Sequence, residues 1–133
     1  MKKRTAKSIK ASCVRLARKA VNLRDETCQK CGGSINLQCC HVKVRKYNAT
    51  TCDLLNLILL CSSDPVSGHE GCHQWFDRDI ISSGRWFEAT YPARADHLAA
   101  IERNRDARTK TWYADDWLEV ETFLKNYITE LNE

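Results

Sequence analysis

Cys28-Gln29-Lys30-Cys31-Gly32-Gly33 opens the stretch that decides the fold, and Gly71-Cys72-His73-Gln74-Trp75-Phe76 closes it. Between them stand Gln38-Cys39-Cys40-His41-Val42-Lys43-Val44-Arg45 and Asp53-Leu54-Leu55-Asn56-Leu57-Ile58-Leu59-Leu60-Cys61. Cys28 and Cys31 are a C-x2-C pair; Cys61 and Cys72 are a second pair with ten residues between them. Four cysteines so paired are the usual means by which a small intracellular domain builds a tetrahedral zinc site. Gly32 and Gly33 leave the backbone free to turn around the metal. The insert, residues 62–71, carries Pro65, Gly68 and Gly71 and reads as a loop between ligands. Cys39 and Cys40 are alternative ligands that could displace one of the four, and His69 and Glu70 are spare donors in the insert.

Residues 35–44 and 55–60 are rich in Ile, Leu and Val and read as two strands of a hairpin. Alternate residues of a strand share a face, so His41, Lys43 and Arg45 line up together. A histidine in a row with two cations suits a surface that meets phosphate. From Cys72 the chain reads as helix, with Trp75, Phe76 and Ile80 on its apolar side and a break at Ser82-Ser83-Gly84.

The order of these pieces resembles the zinc-stapled HNH nucleases, a ββα-metal family: C-x2-C, a strand ending in His, an Asn ahead of an apolar run ending in Cys, then Cys-His. It is most similar to the phage NinG/Rap-like recombination nucleases, in which Arg24-Asp25 ahead of Cys28, Gln38-Cys39-x-His41 and Arg45 also find counterparts. The resemblance covers residues 14–77, and the rest in outline. It implies a metal-dependent DNA endonuclease that hydrolyses phosphodiester bonds in phage DNA recombination or processing. His41 would be the general base, His73 a ligand of a catalytic Mg²⁺, Mn²⁺ or other divalent ion, and Asn56 the residue that holds the loop and orients His41. Lys43, Arg45 and Lys46 would meet phosphates. Cys40 stands where the family often carries an acid or histidine on the catalytic ion, and a thiolate is a poor ligand for Mg²⁺. The zinc on Cys28, Cys31, Cys61 and Cys72 would be structural. A non-catalytic zinc-stapled nucleic-acid-binding module is the alternative, and that substituted position is what supports it.

The flanks fit a small α+β domain, a zinc-stapled core with helices added at both ends. Its parts are a basic arm and helix over residues 1–24, the core over 25–82 and a helical extension over 83–133. The formal charge is +4, unevenly spread: residues 1–24 hold nine Lys and Arg and no acid. Such an arm suggests a polyanion partner, with Lys10, Arg15, Arg18 and Lys19 as contacts. Residues 8–24 read as a helix capped by Ser8, with Ile9, Cys13, Leu16, Ala20 and Leu23 as its apolar stripe. Residues 93–107 read as a further helix, with His97 at the surface. The last helix starts near Asp115, with Trp117, Val120, Leu124, Tyr127 and Leu131 facing inward.

No apolar run is long enough to span a bilayer, and the charged N-terminus lacks the apolar segment of a signal peptide. Eight cysteines in such a chain argue for thiols and metal in a reducing cytoplasm rather than disulfides. DNA, branched or junction DNA included, is the expected partner. Oligomeric state is open, a dimer included.

Overall fold

A computed structural model describes residues 3–43 and 47–133 of the chain. The expected contacts Arg45 and Lys46 lie outside the described residues. The architecture is α+β: a small sheet with helices around it. Helix α1 (Ala6–Asp25) leads to strand β1 (Leu37–His41), the short helix α2 (Asn48–Thr51), a 3-10 turn over Leu54–Asn56 and strand β2 (Leu57–Cys61). Helices α3 (Cys72–Arg78), α4 (Ile80–Thr90), α5 (Pro92–Arg103), α6 (Arg105–Thr109) and α7 (Ala114–Leu131) follow. Among the described residues no helix is long and apolar enough to cross a membrane.

β1 and β2 pair antiparallel, with Leu37 opposite Cys61 and His41 opposite Leu57. Every residue of β2 is buried. A two-stranded sheet tolerates that only if the outer edge of β2 finds hydrogen-bond partners. Arg24 donates to the carbonyls of Leu54 and Leu57, and Arg94 to those of Leu55 and Leu57. Asp25 accepts from the Leu59 amide, and the Gln29 amide donates to the Leu59 carbonyl. The Arg24-Asp25 pair thus caps a sheet edge.

Alternation splits the core in two. Leu57 and Leu59 face α1 and α7, joining Ile9, Cys13, Ala17, Trp117 and Leu124. Ile58 and Leu60 face α3, joining Cys28, Cys40, Cys61 and Phe76. Cys13, on the expected stripe, and Cys52 both pack as small apolar residues in the first of these clusters.

Several boundaries differ from the sequence reading, each for a local reason. α1 begins earlier because Thr5, not Ser8, is the cap; the Thr5 hydroxyl accepts from the Ser8 amide. Ser82-Ser83-Gly84 lies inside α4, and the break falls at Asp79, whose carboxylate caps α4 through the Ser82 amide. The Ser83 hydroxyl donates to the Phe76 carbonyl, so the serine seals the end of α3. Ile80 consequently points outward and is 76% exposed. Asn104 divides the expected 93–107 helix by capping α6 through the Ala107 amide. The buried stripe of α7 is Trp117, Glu121, Leu124 and Ile128, and Leu131 is exposed.

Candidate metal centre

The knuckle is built by backbone bonds. The Cys28 amide donates to the Gly33 carbonyl and the Gly32 amide to the Cys28 carbonyl, 2.9 and 2.8 Å. Gly32 has φ +77°, a conformation glycine takes without the cost of a Cβ. The turn brings Cys28 and Cys31 against Cys61, the last residue of β2, and Cys72, the first of α3. The four sulfurs all lie within 4.8 Å of one another, and Cys31 Sγ is 3.6 Å from Cys61 Sγ. A tetrahedron with bonds of ~2.3 Å has edges of roughly 3.8 Å, so the cluster could hold a zinc ion. The amides of Gly33 and Cys72 point at Cys31 Sγ and Cys61 Sγ, at 3.4 and 3.3 Å, as they would toward thiolates.

The electrostatics agree with a shared site. Burial pushes the Cys28 thiol up, but hydrogen bonds from the backbone of Cys31, Cys61 and Lys30 bring it down to about 7. Burial raises Cys61, and burial with neighbouring thiols raises Cys72 strongly. The metal-free cluster therefore carries few negative charges, and metal uptake would release protons. Of the alternative ligands, Cys39 packs toward α1 and Cys40 toward α3. His69 Nε2 lies 3.3 Å from Cys61 Sγ, supporting a ligand sulfur rather than adding a fifth, and Glu70 pairs with Arg78 at 2.6 Å.

His73 follows Cys72 directly, so the cysteine cluster anchors its helix turn. Its Nδ1 is 2.8 Å from Gln38 Oε1 on β1, and its Nε2 is 3.1 Å from Asp77 Oδ2, one turn further along α3. With Nδ1–H donating to the Gln38 oxygen, the Nε2 lone pair faces a carboxylate. Two acceptors so close need a proton or a cation between them. A divalent ion ~2.1 Å from each at adjacent coordination positions would hold them roughly 3.0 Å apart. The same 3.1 Å is met by Nε2–H donating to the carboxylate, so the pair could take such an ion and does not require one; the Asp77 side chain is 67% exposed. Asp77 was not singled out in the sequence, and Gln38 only as part of the motif that carries the resemblance. The i,i+4 spacing from His73 was the available signal for Asp77.

Cys40 is not placed as a ligand. It is 4% exposed, donates to the Gln38 carbonyl at 3.4 Å, and burial first, with Cys39 and Asp77 adding, pushes its thiol up to about 12. Its thiol is spent on that carbonyl and stands outside the four sulfurs that could hold a metal. The strand's alternation turns its sulfur into the core beside Ile58 and Phe76.

His41 ends β1, and its Nε2 lies 2.9 Å from the Thr51 carbonyl. A carbonyl only accepts, so Nε2 carries a proton toward it. Asn56 is fully buried. Its amide nitrogen donates to the carbonyls of Thr50 and Lys43, and its oxygen accepts from the Lys43 amide at 2.7 Å. One side chain therefore ties both ends of the connection between β1 and α2, and with it the Thr51 carbonyl that meets His41. Lys43 is drawn to Glu102 of α5, at 3.4 Å.

The basic helix is divided in use. Arg15, Arg18 and Lys19 are exposed on the side of α1 away from α7. Lys10 is not among them: it reaches inward to Asn48 Oδ1 at 3.0 Å and lies over the Trp117 ring. His97, read as a surface residue, is 41% exposed at its side chain and meets Asp53 at 2.7 Å. Comparison with protein-family models, with curated proteins and with solved structures finds no match to this chain.

Proposed function

We propose that the chain is a metal-dependent DNA endonuclease of the HNH, ββα-metal kind, at work in phage DNA recombination or processing. The observation that carries the reading is the His73–Asp77 pair, set beside the strand that ends in His41 and held by the cysteine cluster. A binding module has no use for an imidazole and a carboxylate aimed at one point, nor for a histidine whose tautomer is set by a buried clamp.

In this reading His41 Nδ1 takes the proton of the attacking water. The Thr51 carbonyl keeps Nε2 protonated, and Asn56 keeps Thr51 in place, so the ring presents a base. His73 and Asp77 would hold a divalent ion, and Gln38 would orient the His73 ring from behind. Such an ion, when bound, supplies positive charge opposite the phosphorane-like transition state and the departing 3′ oxygen. Lys43 would leave Glu102 to meet a phosphate. A zinc on Cys28, Cys31, Cys61 and Cys72 would fix the start of α3 relative to β2.

The alternative, a zinc-stapled nucleic-acid-binding module without cleavage, draws on one observation: Cys40 is buried, where the family often carries a metal ligand. A plasmid-nicking assay with added Mg²⁺ or Mn²⁺ separates the two. His41→Ala should lower nicking by ~10²–10⁴-fold, with zinc content unchanged. His73→Ala should lose nicking in Mg²⁺ and recover part of it in excess Mn²⁺, whereas His41→Ala should not recover. Wild-type protein that shifts DNA without nicking it under any of these ions establishes the binding module.

A further inference from the structure

Asn56 sits in a 3-10 turn closed by two backbone bonds, from the Asn56 amide to the Asp53 carbonyl and from the Leu57 amide to the Leu54 carbonyl. Turns of this kind have poor hydrogen-bond geometry and little stability of their own. This one nevertheless carries the buried side chain that ties Lys43 to Thr50. Its position must be set from outside.

Two helices set it. From α1, Arg24 donates to the Leu54 and Leu57 carbonyls. From α5, Arg94 donates to those of Leu55 and Leu57. One turn further along α5, His97 Nε2 lies 2.7 Å from Asp53 Oδ2. An ionised carboxylate only accepts, so Nε2–H donates. Asp53 is also the cap of the turn: its Oδ1 accepts from the Leu55 amide at 2.9 Å. One oxygen of Asp53 thus holds the turn and the other is held by α5. The carboxylate cannot rotate without giving up one of them. The packing of α5 does not ask for a histidine here, since Leu98 is its buried residue and His97 lies at the surface.

We propose that His97 is a positioning residue for the His41 base. It acts through a chain of contacts: His97 on Asp53, Asp53 on the turn, Asn56 on the Thr50 carbonyl, and the adjoining Thr51 carbonyl on His41 Nε2. The inference rests on the nuclease reading above and adds to it a residue that lies outside the two strands and α3. A base held out of line loses rate without losing substrate, because the cost falls on the geometry of attack.

The test uses the full chain as purified with its metal, in three variants. His97→Ala removes the bond to Asp53 from an exposed position. His97→Gln returns an N–H donor at similar reach. Asp96→Ala changes the exposed neighbour of His97 and serves as the control. Hydrogen exchange is read first and needs no cleavage. The Lys43 amide, which donates to Asn56 Oδ1 at 2.7 Å, should exchange faster in His97→Ala. The Leu59 amide, held by Asp25 at the sheet edge, should exchange as in the wild type. Plasmid nicking in Mg²⁺ is read second: kcat should fall about tenfold in His97→Ala with KM unchanged. His97→Gln should restore both readings, and Asp96→Ala should match the wild type in both. Faster exchange at Leu59 as well as Lys43 would make His97 a contact of the fold at large and overturn the proposal. Unchanged exchange at Lys43 overturns it too, whether nicking is unchanged or falls; a fall would then assign His97 to the DNA itself. Wild-type protein that does not nick, with the exchange pattern as expected, retains the tie from α5 to Asn56 and removes the nuclease reading. Equal nicking by the wild type and His97→Ala does the reverse.

Discussion

A carboxylate in the packed seam between two helices persists only if its charge is met there. Glu121 is 5% exposed on the inner side of α7, a position the sequence reading skipped because the stripe was drawn through apolar residues alone. Arg4 meets it with two nitrogens, at 2.9 and 2.7 Å, and Lys125 lies 3.6 Å away. The hydrogen bond from Arg4, then that from Ser12, holds the Glu121 carboxyl down at about 2. A folded-state value below the unfolded one means stability that is present above the ordinary carboxylate range and lost as pH falls through it toward 2. Melting temperature followed from pH 6 to pH 2 should therefore show an acid limb that Glu121→Gln flattens. Arg4→Ala should lower the neutral-pH melting temperature and shrink that limb, since the folded-state value rises toward the unfolded one. A limb of unchanged shape in Glu121→Gln would place the acid-sensitive group elsewhere. The same residue-level blindness hid Asp77. Asp77 could have been found from its i,i+4 spacing to His73, and Gln38 takes on a role only once His73 is seen to meet it.

At the scale of elements, the parts whose pattern repeats were legible. The paired strands and α7 could be drawn from periodicity, and the stripe of α1 in part: Ile9, Cys13 and Ala20 are buried, whereas Leu23 is exposed and Ala17 and Val21 lie inward instead. The cysteine spacing located the cluster because ligand geometry constrains sequence tightly. The joints were not legible, because they depend on single side chains serving a distant backbone group. Ser83 reads as a helix breaker until its hydroxyl is seen on the Phe76 carbonyl. Gly71 is another such joint. Its backbone is ordinary, φ −77°, yet a Cβ there would collide with the backbone of Ser62 and Ser63 and with the Gln74 side chain. Glycine is thus required by close approach, at the residue that starts α3 and precedes Cys72 and His73. Gly71→Ala should displace the start of α3 and lower the zinc retained per chain during dialysis against a mild chelator. Cys28→Ser should lose zinc outright and expose residues 28–73 to limited proteolysis, since the binding energy of such a site is folding energy. Cys13→Ser, outside the cluster, should keep its zinc. Full zinc retention in Cys28→Ser would show that the cysteine cluster is not the metal site.

For the whole molecule, uneven charge is what the sequence shows most plainly, and the fold decides how much of it faces outward. Of the cations in residues 3–24, Arg4 is bound to Glu121, Lys10 to Asn48, and Arg24 to Asp25 and the edge of β2. Those three hold the fold together. Lys3, Lys7, Arg15, Arg18 and Lys19 remain exposed, the last four on the side of α1 opposite Ile9, Cys13, Ala17 and Ala20. Deleting residues 1–12 would therefore mix two effects, since it removes Arg4 and the buried Ile9 along with the free charges. Substitution separates them. With Lys7, Arg15, Arg18 and Lys19 changed to Gln, the melting temperature should hold, because none of the four touches the core. Affinity for duplex DNA should fall, and the plot of log affinity against log salt should flatten by about 0.9 for each phosphate contact removed. Lys10→Gln should behave oppositely, costing stability through Asn48 and Trp117 while leaving the slope nearly as it was. An unchanged slope in the fourfold variant would move the DNA contact off α1, onto the strand and α5 surfaces around Lys43.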